Sequence, residues 1–217
     1  MTRNEFCKQY WQYYLVLEKE LLDVEDYIAF DLGENSLYID SNITNYGNSL
    51  CYSNKLILLY LSICSEVDVI LKTICSENNK HLEFKKINCY ATKIIEICPK
   101  ITNQKVEFRD FTLQPFINWS SEKSPEWWGN YNDVKHERTT DDNYKKANLK
   151  NVINSLAGLY ILEQYFVKQI GDRDDDYDVP NDVSNLFKMI DYSTKNIVIG
   201  NEKYLMHSDD IDKIMNL

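Results

Sequence analysis

Apolar residues recur at three- and four-residue steps through most of the chain, and that period predicts helices. Over residues 4–31, Phe6, Tyr10, Tyr13, Leu17, Leu21, Val24 and Ile28 share one face, while Glu18, Lys19, Glu20, Asp23 and Glu25 take the other. A second helix is expected over 50–77, where Leu56, Leu59, Tyr60, Ile63, Val67, Ile70, Leu71 and Ile74 make a wide apolar stripe. A third spans 82–98 and stops at Pro99. The helical period then breaks. Val106 to Leu113 alternates loosely and reads as a short strand or an extended connector, with Phe116 and Trp119 anchoring it to the core. Ser124, Pro125 and Glu126 form a helix start: a cap, a proline in the first position and an acid in the first turn. That helix should run to Glu137 or Arg138. After a polar loop, in which Asp142 or Asn143 can cap, the most hydrophobic helix covers 144–170 and is ended by Gly171 and an acidic stretch.

Elsewhere the pattern is weaker. Residues 33–49 are rich in Gly, Asn and Ser and read as a long loop, with Leu37-Tyr38-Ile39 suited to a short strand. Beyond Pro180 the chain reads as a short helix over 182–190, a strand or turn over 196–200, and a final short helix capped by Ser208. The fold class expected is mainly all-α. It is an antiparallel bundle of four to six helices, with a short strand or connector near 105–113 and a small C-terminal appendage. The bundle should occupy 1–171, and 172–217 should form an acidic linker and appendage on the same domain.

Composition narrows the function classes. With 217 residues, 44% hydrophobic and 13% aromatic, the chain buries roughly 70% of its unfolded surface and needs no staples. A net charge of −10 opposes a polyanion at long range, so nucleic-acid binding would need a local basic patch. Lys85, Lys86, Lys93 and Lys100 form only a modest solvated surface. The six cysteines form no close pair, and no histidine stands at zinc spacing from them, so neither a metal nor a cofactor is expected. The N-terminus lacks the pattern of a signal peptide, and no long apolar run is present. A reduced, cytoplasmic protein with no membrane association is the expectation.

Polar chemistry concentrates in the helix that begins at Pro125. Asn132 and His136 are four residues apart and stack on one stripe, and Lys135 and Arg138 are neighbours three apart. An imidazole flanked by two cations and an amide suits metal-free phosphodiester cleavage, with a base for the 2′-hydroxyl and cations for the phosphate. The same residues equally suit hydrogen bonding to a neighbouring helix or across a dimer. In the second helix Glu66 lies close to the apolar face, so it should either pair with a cation from another helix or line a site.

The run Trp128-x-x-Tyr131-Asn132-x-x-Lys135-His136-x-Arg138, followed by Ala147, Asn151, Leu156 and Ala157, resembles the HEPN domains of bacterial defence and toxin–antitoxin systems, some linked with abortive infection. The resemblance covers about residues 50–170. It implies an all-α bundle and a homodimer, with RNA or an operon-encoded protein as partner. In nuclease members of that family an Arg shortly before the His completes a metal-independent ribonuclease site across the dimer. His136 and Asn132 match that pattern, but Tyr131 stands where the Arg is expected. The resemblance therefore implies either a ribonuclease in which Arg138 supplies the cation, with Tyr131 and Glu66 in support, or a relative that binds RNA or protein without cutting.

Overall fold

A computed structural model of the chain describes residues 1–34, 45–78, 87–174 and 183–190 in full, and the backbone of 194–199 and 202–207. It is mainly helical. In order it contains α1 (Arg3–Phe6), a π-helical stretch (Cys7–Trp11), α2 (Gln12–Glu25), α3 (Asn54–Asn78), α4 (Ile87–Ile97), β1 (Val106–Phe108) and β2 (Phe111–Leu113). These are followed by α5 (Glu126–Glu137), a 3-10 turn (Asn143–Lys146), α6 (Leu149–Asp174), β3 (Phe187–Met189), β4 (Thr194–Ile199) and β5 (Glu202–His207).

Helix α6 is the axis of the core. Every residue from Leu149 to Gln164 is buried, so α1, α2, α3 and α5 all pack around it. Its start differs from the expectation at residue 144. Asn148 accepts the Asn151 N–H on Oδ1 at 3.0 Å, and the carbonyls of Cys51 and Ser49 accept the N–H groups of Leu149 and Lys150. Those donors have no partner inside a helix, so a strand-like segment distant in sequence fixes where α6 begins. At its other end α6 passes through Gly171 to Asp174. Helix α2 runs antiparallel to α3, with Lys55 paired to Glu20. Helices α3 and α6 run side by side in the same direction. A Tyr52–Asn148 bridge joins their N-terminal ends, and an Arg173–Glu77 ion pair joins their C-terminal ends.

Several boundaries are corrected. The first helical run stops at Glu25, and the second helix starts at Asn54. Gly33 and Gly47, both at positive φ, bring the chain on either side so close that a Cβ at Gly33 would lie 2.4 Å from the Asn45 carbonyl oxygen. That turn is incompatible with continued helix. Helix α5 is preceded by an extended Pro125 with no side-chain cap, so Ser124 does not cap it. The helix expected over 182–190 is instead the strand β3. Phe187, Lys188 and Met189 alternate buried, exposed, buried, and pair antiparallel with β1, which also pairs with β2. Glu18 of α2 pins this strap: its carboxylate accepts from the hydroxyls of Tyr14 and Ser184 and from the Asn185 backbone and side-chain N–H groups. The strand or turn expected over 196–200 is found as β4, paired antiparallel with β5. The expected strand at 37–39, the helix start at 82–86 and the helix after Ser208 lie outside the described residues.

Candidate functional site

The candidate residues ride on α5, whose orientation is set by its aromatic face. Trp127, Trp128, Tyr131 and Val134 are buried. Trp127 donates its indole N–H to the Pro115 carbonyl at 2.7 Å, and the Tyr60 hydroxyl of α3 donates to the Trp127 carbonyl. Such rings bury large areas and satisfy their polar edges, so α5 is held firmly in register.

Tyr131 belongs to this wall. It is 4% exposed and packs edge-on against Tyr60 at 6.0 Å and at a tilt against Trp128 at 5.0 Å. Burial pushes its hydroxyl above the ordinary value, with Lys135 beside it pulling the other way. The Lys135 ammonium lies 5.4 Å from the Tyr131 ring centroid, a cation–π contact. Lys135 is thus placed on the tyrosine one turn before it. The residue standing where an Arg is expected is a core residue, and it positions a cation indirectly.

His136 is exposed on the last turn of α5, and Asn132, one turn before it, is half-buried. Neither side chain makes a hydrogen bond among the described residues. Arg138, the C-terminal cap residue of α5, lies about 200° round the helix from His136 and faces elsewhere. It lines an open groove of about 580 Å3 with Thr139, Tyr144, Asn54, Ile57 and Leu58. The four polar candidates therefore do not converge within the chain: Lys135 sits on Tyr131, Arg138 lines the groove, His136 is exposed to solvent and Asn132 is half-buried one turn before it.

The far wall of that groove is locked to α5. The Asn143 amide donates to the Glu137 carbonyl at 3.1 Å, the Tyr144 N–H donates to the Arg138 carbonyl, and Lys146 pairs with Asp133 at 2.6 Å. Tyr144 meets Tyr52 edge-on at 5.4 Å. Of these, only Arg138 could be found from sequence. Tyr144, Leu58 and Asn54 join it through contacts between distant segments.

Of the two alternatives open for Glu66, the cation partner is not found among the described residues. Glu66 is half-buried on α3. Its charge reaches Glu163, a residue of α6 that is 0% exposed and whose two oxygens have no hydrogen-bond partner among the described residues. Burial first, and then the nearby Glu66 charge, push the Glu163 carboxyl well above the usual range; burial also raises Glu66. Tyr10 of the π-helical stretch, hydrogen-bonded to Thr73 at 2.8 Å, senses both acids. A signal for Glu163 existed in the sequence. It is a lone acid at a core-facing position, four residues after Leu159 and three before Phe166.

Burial disfavours the thiolate form of the buried cysteines. Burial pushes Cys75 to about 11 and Cys98 to about 12, and raises Cys64 well above its ordinary value. Among the described residues no cluster of three metal-ligating side chains occurs, and no helix is long and apolar enough to cross a membrane. Compared with models of protein families, with curated proteins and with solved structures, the chain matches none. What fold and site together define is a mainly α-helical bundle carrying a rigid groove at the C-terminal end of α5.

Proposed function

We propose that the chain is a HEPN-like interaction module of a bacterial defence or toxin–antitoxin type system, paired with a second copy of itself and binding a partner without cutting RNA. The observation that carries this reading is the burial of Tyr131. At the position where a ribonuclease of this kind needs a cation beside the attacked phosphate, the chain places an aromatic core residue, and the neighbouring Lys135 rests on its ring. Arg138 cannot replace that cation within one protomer, because it faces the groove shared with Tyr144 and Ile57, away from His136. Three basic groups at the end of α5, Lys135, His136 and Arg138, also favour the helix dipole, which accounts for their clustering without catalysis.

The test is direct. Labelled RNA is incubated with the purified protein and with His136→Ala, both in EDTA, and light scattering reads the mass. The expected result is a dimer and the same background cleavage from both proteins. EDTA-resistant cleavage that disappears in His136→Ala overturns the reading, and makes the protein a metal-independent ribonuclease with a composite dimer site.

A further inference from the structure

We propose that the groove at the end of α5 binds a short acidic peptide segment of a protein partner, a carboxylate on Arg138 and an adjacent apolar side chain against Leu58 and Tyr144. The proposal rests on the interaction-module reading and gives it a ligand class. A volume of about 580 Å3 is within the range of ligand sites. Its apolar wall is open: Leu58 is 66% exposed, on the side of α3 turned away from that helix's buried stripe. Tyr144, braced edge-on by Tyr52, offers a fixed aromatic surface. Rigid walls lower the ordering cost of binding.

Charge selects the occupant. The other cations near the groove are already matched: Lys145 pairs with Asp142 at 2.6 Å, Lys146 with Asp133 at 2.6 Å, and Lys55 with Glu20. Arg138 has no anionic partner among the described residues, and a guanidinium takes a carboxylate through two parallel hydrogen bonds. One such cation accommodates one carboxylate. A nucleic-acid strand would bring a row of phosphates past exposed Glu137, Asp141 and Asp142, in a protein of net charge −10. A peptide carrying one acid beside an apolar residue meets the cation and the wall and brings one negative charge past those acids where a strand brings a row.

The probe is a panel of short fluorescein-labelled Gly/Ser peptides, each with one Glu or Asp flanked by Leu, Ile, Phe or Tyr. Every member has an amide twin, and anisotropy is read on the full-length protein. Acidic members should outbind their twins, and Arg138→Gln should weaken them by about tenfold or more, consistent with loss of a charged hydrogen-bonded pair. Leu58→Asp, at an exposed position, should weaken the same peptides. Circular dichroism confirms that both variants fold. The proposal is overturned if no acidic peptide outbinds its twin, or if both substitutions leave binding unchanged. It is also overturned if a labelled oligouridylate binds through Arg138 more tightly than any peptide, which assigns the groove to nucleic acid. Peptide failure with RNA left uncut removes this groove but leaves the interaction-module reading standing. His136-dependent cleavage removes that reading itself, whatever the peptides do.

Discussion

Glu163 gives the sharpest physical test of the structure. A carboxyl group with no exposed surface and no hydrogen-bond partner among the described residues is far less costly neutral than ionised. Its folded value is raised by burial and by Glu66 across the α3–α6 contact. In the unfolded chain the same group titrates near the ordinary glutamate value. Below that value both states hold the proton, and Glu163 carries no penalty for ionisation. As pH rises through the ordinary carboxyl range the unfolded chain gives up its proton while the folded chain keeps it. Stability then falls by about 1.36 kcal/mol per pH unit, and the loss levels off only once the folded group ionises. Urea unfolding across a series of buffers measures the slope, and the informative quantity is the difference between wild type and Glu163→Gln, which cannot ionise. The wild type should lose about 1.36 kcal/mol per unit relative to the variant within that window. Glu66→Gln removes the nearby charge, so it should end the window at lower pH. Glu163→Leu should abolish the slope and add about 1–3 kcal/mol on the acid side, because it also removes an unsatisfied buried polar group. Parallel stability curves for wild type and Glu163→Gln would falsify the reasoning, since they would mean that Glu163 is solvated or paired.

Two further outcomes test how the bundle is held. Glu18→Ala removes the acceptor of the Asn185 N–H groups and leaves the Tyr14 and Ser184 hydroxyls only each other, so about 1–3 kcal/mol of stability should be lost and hydrogen exchange at Phe187 and Met189 should speed up; unchanged protection of β3 would contradict the clamp. Gly158→Ala should destabilise by about 0–2 kcal/mol in a thermal melt despite alanine's better helix propensity, because its Cβ would lie 3.1 Å from Trp127 and 3.4 Å from Phe116, both buried rings; a clear gain in stability would show that those rings can move.

Periodicity along the sequence determined the helical class and marked α6 as the most hydrophobic helix. It did so because a 3.6-residue repeat reports which face of a segment must leave water, and that requirement is local. Tyr131 could likewise be seen to occupy the position of an expected Arg, but whether its side chain entered the core depended on Tyr60 and Trp128 meeting it there. The strand β3 was hidden because its residues take their hydrogen bonds from β1, some eighty positions earlier, and a free edge overrode a weak helical pattern. The start of α6 was hidden for the same reason, since its first donors are satisfied by Ser49 and Cys51. Glu66 was expected to pair with a cation or to line a site, and the charge it meets is that of Glu163, nearly a hundred positions away. The groove joins Arg138 to Leu58 and Asn54 in the same way. Burial faces are written in the order of residues, whereas hydrogen-bond partners, charge neighbours and concave surfaces come from distances between segments. Those distances exist only once the helices have packed.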